Sequence, residues 1–182
     1  MQDGSTLHKV LSVAGLLLAG LLLNSVSGAF FSPTVEGAAQ KDSVPSFPEM
    51  TKALLERGET LYQKQCSACH GEKGSGDGKA AYLLYPKPRD FSGVRFKLIS
   101  TDNAVPSNED LFRTITRGMP GSAMPPWGHL TEDDRWGLVY YVKKLARDGK
   151  VDRLVREDGI DLERAERVAE NWLTAGSPVE IT

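Results

Sequence analysis

The segment Cys66-Ser67-Ala68-Cys69-His70 decides the interpretation of this chain. Two thiols separated by two residues and followed directly by an imidazole form the pattern C-x-x-C-H, by which c-type haem is attached to protein. The two thiols can reach the two vinyl positions on one edge of a porphyrin, and the adjacent imidazole is then brought to the iron. The motif uses both cysteines of the chain. We therefore predict one haem c, bound covalently through Cys66 and Cys69, with His70 as an iron ligand.

Other uses of two cysteines explain the pattern less well. A redox-active C-x-x-C pair is expected near a βαβ pattern, and the sequence has no such pattern. A zinc site needs two ligands besides the two thiolates. The three histidines are His8, His70 and His129, and His8 lies in an apolar N-terminal segment, away from the motif in sequence. A disulfide between the two cysteines would close a loop too short to stabilise the fold much.

The composition narrows the class of protein further. The chain has 182 residues, of which 40% are hydrophobic and 25% are charged, which suits one domain with terminal extensions. Lys and Arg total 22 and Asp and Glu total 24, which gives a net charge of −2. This balance provides no basic surface for phosphates, so we expect no binding to nucleic acid.

Hydrophobic periodicity predicts an all-α domain of three to five helices joined by long loops. Helices are predicted over residues 49–65, 107–117 and 131–147. Ser107 and Thr131 are suitable N-caps for the second and third of them. The predicted buried face of the third helix consists of Trp136, Val139, Tyr140 and Leu145.

Gly58 has a predicted packing role in the first helix. A glycine inside a helix costs roughly 1 kcal/mol relative to alanine, so its presence asks for a reason. We expect it to let the first and last helices of the domain cross closely, with Trp136 or Tyr140 opposite.

The N-terminal residues have the composition of an export signal or a membrane anchor. No charged residue occurs between Lys9 and Glu36, and residues 10–23 are almost wholly apolar. A signal peptide has an apolar region of about 7–15 residues followed by small residues, whereas a membrane span needs about 20 apolar residues. We favour an uncleaved transmembrane anchor in residues 1–31 and keep a cleaved signal peptide as the alternative. Residues 32–48 contain three prolines and are predicted to be a linker.

The C-terminal residues form an acidic extension. Residues 151–182 contain four arginines and eight acidic residues, and residues 161–173 have the spacing of an amphipathic helix. We expect this helix to pack on its own domain, the alternative being that it docks on another subunit. The predicted organisation is an N-terminal segment 1–31, a linker 32–48, a haem domain 49–150 and a helical tail 151–182.

The chain resembles the single-haem class I cytochromes c over roughly residues 49–147. Besides the C-x-x-C-H motif, the resemblance rests on several segments, which are Gly58 and Tyr62, GEKGSGDG at 71–78, PKPRDF at 86–91, GMPGSAMPPW at 118–127 and WGLVYY at 136–141. Within the class, the chain looks like the small cytochromes that accompany bacterial respiratory complexes and molybdenum-type oxidoreductases. The resemblance implies a small helical fold around the haem.

The sixth iron ligand is expected in the loop before the last helix of the domain. Methionine sulfur is soft and suits haem iron in electron-transfer sites, and Met119 and Met124 share a loop rich in Pro and Gly. Sequence alone leaves Met119, Met124 and His129 open. The resemblance implies a ligand in a Met-Pro pair shortly before that helix, which favours Met124.

The resemblance also implies a fixed orientation for His70. A ligating histidine usually donates its other N–H to an acceptor, which orients the ring and raises its basicity. In the family this acceptor is a proline carbonyl in the loop after the haem motif. Pro88 is the favoured candidate here, with Pro86 as the alternative.

Ligation by His70 and Met124 predicts a one-electron carrier and not an enzyme. Both axial positions would be filled by protein, so no small-molecule substrate is expected at the iron. The predicted partners are exported or membrane-bound redox proteins in the periplasm or at the outer face of the cytoplasmic membrane, a respiratory complex among them. Two alternatives stay open: a haem enzyme or gas sensor with a vacant position, and an obligate electron-transfer subunit of a larger respiratory oxidoreductase complex.

The segment 73–97 is basic, with six basic residues against two acidic ones. We expect it to be a solvated loop surface in which one or two basic side chains pair with the haem propionates. The alternative is a docking ring for an acidic partner, which would speed encounter at low ionic strength.

Overall fold

The computed structural model describes residues 47–93 and 96–179, in which five helices and one short 3-10 turn are joined by long loops. The helices are α1 (Lys52–Gln65), α2 (Ser67–His70), α3 (Asn108–Arg117), α4 (Glu132–Arg156) and α5 (Leu162–Trp172), and the 3-10 turn is Ala81–Leu83. Within these ranges the extended pairing is one isolated bridge between Thr101 and Pro178. The predicted all-α class is confirmed.

Side-chain caps determine where the helices begin. Ser107 and Asp110 form a capping box, in which the Ser107 hydroxyl accepts from the Asp110 N–H and the Asp110 carboxylate accepts from the Ser107 N–H. Thr131 caps α4, so both predicted N-caps are confirmed. Helix α1 begins later than its predicted start at Glu49, because Thr51 supplies the cap.

Helix α4 continues to Arg156, so its predicted end at Arg147 is wrong. Gly149 lies inside the helix, where its missing side chain admits a neighbouring loop. A Cβ atom at Gly149 would lie 2.3 Å from Cβ of Ser92. The boundary predicted between residues 150 and 151 therefore falls inside a continuous helix.

The hydrophobic core forms where α1 and α3 pack against α4. The Phe112 ring of α3 stacks on Trp136 of α4, with ring centroids 4.4 Å apart. The predicted buried face of α4 is confirmed. Helix α4 also buries side chains outside the predicted face, because α1, α3 and α5 all pack against it. These further side chains are Leu138, Tyr141, Val142 and Ala146.

Helices α1 and α4 cross at a pair of glycines. A Cβ atom at Gly58 would lie 2.0 Å from the carbonyl oxygen of Gly137, so the two backbones are in direct contact. The predicted close crossing at Gly58 is confirmed, but Gly137 lies opposite, and not Trp136 or Tyr140. The reason is steric, since either aromatic side chain at the contact would hold the backbones apart.

The C-terminal tail packs on its own domain, as expected. Helix α5, capped by Asp161, buries Ala165 and Ala169 completely, and it packs against α4. After α5, the Asp102 N–H donates to the carbonyl of Ser177 at 3.0 Å.

Replacement of Ala169 by aspartate should destabilise the domain by about 2 kcal/mol, because a charge would be placed where the side chain is 0% exposed. Val168→Asp is the matched control, since Val168 is 38% exposed on the same helix. Urea unfolding of both variants measures the difference. Equal stabilities would contradict the packing of α5.

No helix within residues 47–93 and 96–179 is long and apolar enough to cross a membrane. The anchor or signal peptide predicted in residues 1–31 lies outside these ranges, as does most of the predicted linker 32–48.

Candidate haem site

The C-x-x-C-H motif lies at the junction of α1 and α2. Helix α1 ends at Gln65, and the Cys66 N–H still donates to the carbonyl of Tyr62 at 2.8 Å. The His70 N–H donates to the carbonyl of Cys66 at 2.9 Å, which winds the motif into a single helical turn. Both cysteines are free thiols and are partly buried. This turn places Cys66, Cys69 and His70 along one wall of a cleft.

The glycine-rich run 71–78 folds back against the motif. The Gly76 N–H donates to the carbonyl of His70 at 2.8 Å, and the Gly78 N–H donates to the carbonyl of Cys69 at 3.2 Å. A Cβ atom at Gly78 would lie 2.4 Å from the carbonyl oxygen of Ala68. The close backbone approach therefore needs glycine at position 78. The two hydrogen bonds from this run hold the backbone of the motif in place.

The structure places the hydrogen-bond partner of the His70 ring at Arg89. Nδ1 of His70 lies 3.2 Å from the Arg89 carbonyl oxygen, and a carbonyl can only accept, so Nδ1 bears the proton. The predicted acceptor, the carbonyl of Pro88, is wrong by one residue. That carbonyl faces Gly76, where a Cβ atom would lie 2.7 Å from the Pro88 oxygen.

Two further features prepare His70 for a metal. The ring of Phe91 stacks on the imidazole, with centroids 4.9 Å apart and planes inclined by 20°. Burial lowers the pKa of His70, an effect that the hydrogen bond to the Arg89 carbonyl opposes. A neutral ring with Nδ1 protonated leaves the lone pair of Nε2 available to a metal.

The cleft in front of His70 is large and mostly apolar. It consists of two adjoining pockets, each with about 780 Å³ of open space when the solvent at its mouth is included. The residues that line both pockets are Cys66, His70, Arg89, Lys97, Met119, Met124 and Trp127. Apolar residues that line one of them are Tyr62, Phe91, Phe96, Leu111, Ile115, Leu138 and Val142, together with Leu84, Pro86, Pro88 and Pro125. Such walls suit a flat apolar ring, and Arg89 and Lys97 are the basic residues that line both pockets.

Both candidate methionines reach this cleft. The loop that holds them is closed on itself, because the Met119 N–H donates to the Met124 carbonyl at 3.1 Å and the Ser122 hydroxyl donates to the Met119 carbonyl at 2.7 Å. His129 lies outside the lining of both pockets, with its ring against Trp127. The structure therefore brings Met119 and Met124 together with His70.

The chemistry of the donor groups fits haem c better than other metal sites. Burial and the neighbouring Cys69 raise the pKa of Cys66 to about 11, whereas redox-active and zinc-binding cysteines need a stabilised thiolate. Among residues 47–93 and 96–179, no group of three or more His, Cys, Asp or Glu side chains could hold a metal ion. One imidazole, two free thiols and thioether sulfurs around an apolar cleft are the groups that a c-type haem requires.

Two groups that hold His70 were not predicted from the sequence. The Arg89 carbonyl is a backbone atom, so no side-chain pattern reveals it. The stacking of Phe91 was not predicted, although Phe91 ends the segment 86–91 on which the resemblance partly rests. The available signal was that both residues lie in the loop that follows the haem motif in sequence.

An all-helical domain whose C-x-x-C-H motif lines an apolar cleft defines a class I c-type cytochrome domain. Residues 53–142 match the family model described as cytochrome C oxidase, cbb3-type, subunit III. The chain thus contains a c-type cytochrome domain, for which the family implies covalently bound haem and haem-based electron transfer.

Among solved structures, the chain is similar to one in the reducing HAO-like protein complex of Kuenenia stuttgartiensis, with 29% identity and a TM-score of 0.47. The match covers 61% of this chain and 61% of that one, so this chain spans about three fifths of its length. The search among curated proteins found no match.

Proposed function

We propose that this protein is a one-electron carrier that holds a single haem c through Cys66 and Cys69, with His70 and Met124 as its iron ligands. The main support is that all four side chains line the same apolar cleft. The haem supplies reversible exchange of one electron at its iron. Both methionines line the cleft. The choice of Met124 over Met119 therefore rests on the family pattern.

Each residue has a separate task in this proposal. The two cysteines attach the cofactor to one helical turn, and His70 is held by the Arg89 carbonyl and the Phe91 ring. Pro88 lines the cleft and keeps water from that side of it. Methionine ligation and a dry cleft both raise the reduction potential of haem iron. With His70 and Met124 as its ligands, the iron would have no place for a substrate, so the protein would carry electrons and would not be an enzyme on its own.

We further propose that its partners are redox proteins outside the cytoplasm. The apolar segment in residues 1–31 would export the domain to the periplasm, and as an uncleaved anchor it would hold the domain at the outer face of the membrane. A respiratory membrane complex is the expected partner. Purification in mild detergent tests this, because a carrier that works alone separates from its partners whereas an obligate subunit co-purifies with them.

Changing both motif cysteines to serine should abolish covalent haem attachment. We expect the denatured wild-type protein to exceed its polypeptide mass by one haem and to give a pyridine haemochrome spectrum. Cys66→Ser/Cys69→Ser should have the bare polypeptide mass, because serine forms no thioether bond. Ser67→Ala, between the two cysteines, is the control and should keep the haem. A wild-type protein with no added mass would refute the proposed function.

A further inference from the structure

The last turns of α4 contact the loop that holds His70. Nη2 of Arg153 lies 3.4 Å from Oδ2 of Asp90 and 3.3 Å from Oγ of Ser92. The other Asp90 oxygen accepts from the Ser92 N–H at 2.8 Å and from the Ser92 hydroxyl at 2.7 Å. One turn earlier on the helix, the Cα atom of Gly149 lies close against Ser92. Residues 90–93 are therefore tied to α4 by polar groups and by backbone packing.

The same loop provides both groups that orient the His70 ring. The Arg89 carbonyl accepts from Nδ1 of His70, and the Phe91 ring stacks on the imidazole. Asp90 lies between these two residues in the chain, so a displacement of Asp90 would move the backbone of both neighbours. Arg153 is the group of α4 that holds Asp90.

We propose that Arg153 is a positioning residue for His70, acting through Asp90 on the Arg89 carbonyl and the Phe91 ring. This inference rests on the proposed function, in which His70 binds the haem iron. The side chain of Arg153 is 35% exposed and that of Asp90 is 27% exposed. A pair so accessible to water contributes little to stability by charge attraction. Its importance lies in where it holds the loop.

Loss of the contact between Arg153 and Asp90 would change the reduction potential of the iron through the His70 imidazole. A carbonyl that accepts the N–H of a ligating histidine makes the ring a stronger donor. A stronger donor favours the ferric state, which has the higher positive charge. Withdrawal of the Arg89 carbonyl therefore weakens the donor and raises the reduction potential.

Three variants test positioning, and two of them, Arg153→Ala and Gly93→Ala, separate it from simple charge effects. Arg153→Ala removes a positive charge and Asp90→Asn removes a negative one. Gly93→Ala alters no charge, but its Cβ atom would lie 1.8 Å from Nη1 of Arg153, so the guanidinium must move. Positioning predicts a higher reduction potential in all three variants of the haem-loaded full chain. Charge alone predicts a lower potential in Arg153→Ala, a higher one in Asp90→Asn and no change in Gly93→Ala.

The control is Arg156→Ala, on the next turn of α4. Arg156 pairs with Asp152 on the surface of the same helix, so its loss should leave the potential and the His70 ring unchanged. Thermal unfolding of every variant, compared with the wild type, identifies any loss of the fold.

A second measurement observes His70 directly. In protein with ¹⁵N-labelled histidine, exchange of the His70 Nδ1 proton with solvent should become about tenfold faster in the three variants and not in the control, because a weakened hydrogen bond protects the proton less. Shifts of potential that follow the sign of the removed charge, or unchanged exchange, would overturn the proposal. A wild-type chain without haem would refute the proposed function instead, and proton exchange at His70 would still decide whether Arg153 positions the ring.

Discussion

Met124→Ala is expected to vacate one axial position of the haem iron and to lower its reduction potential markedly. Methionine ligation raises the potential of haem iron, and alanine has no donor atom with which to replace the sulfur. The variant should lose the charge-transfer absorption band that methionine ligation gives to ferric haem. Its reduced form should then bind carbon monoxide rapidly and fully, which the wild type should not do.

Two control variants make this assignment decisive. Met119→Ala removes a methionine from the same cleft but leaves the backbone bond between Met119 and Met124 in place, so we expect the absorption band and the potential to persist. Met50→Ala changes a side chain that is 59% exposed and should have no effect. If Met119→Ala loses the band and Met124→Ala keeps it, the ligand is Met119. Rapid binding of carbon monoxide by the wild type would favour the haem enzyme or gas sensor.

The parts of the fold that were predictable are those set by nearby residues. Ser107 and Thr131 each bond to an N–H three residues later, so the signal for the helix start lies within one turn of sequence. The end of α4 was predicted too early, at Arg147, because the contacts of its last turns are not local. At Gly149 the helix packs against Ser92, which lies far away in sequence and occupies the space that a side chain at Gly149 would need.

The same distinction applies to the candidate site. The C-x-x-C-H motif is local, and it identified the wall of the cleft on which Cys66, Cys69 and His70 lie. The acceptor for His70 was predicted one residue away from its true position, because the direction of a carbonyl depends on backbone packing against Gly76. Arg153 could not be found from sequence, since its contact with Asp90 requires an extension of α4 that the periodicity did not predict.

Gly58→Val is expected to leave the domain largely unfolded, at a cost of about 4 kcal/mol or more. In an isolated helix, alanine would stabilise this position by roughly 1 kcal/mol over glycine. Here any Cβ atom would meet the carbonyl of Gly137, and a Cβ atom at Gly137 would lie 2.8 Å from the carbonyl of Leu54. Backbone atoms cannot rotate away as a side chain can, so α1 and α4 would have to separate. Urea unfolding of the haem-loaded protein measures the loss, and Gly58→Ala should already be less stable than wild type.

Gly128→Ala is the control, because its Cβ atom would make ordinary contact at 3.4 Å with the Thr116 carbonyl. Wild-type stability of Gly58→Val would mean that the helices do not cross at these two glycines.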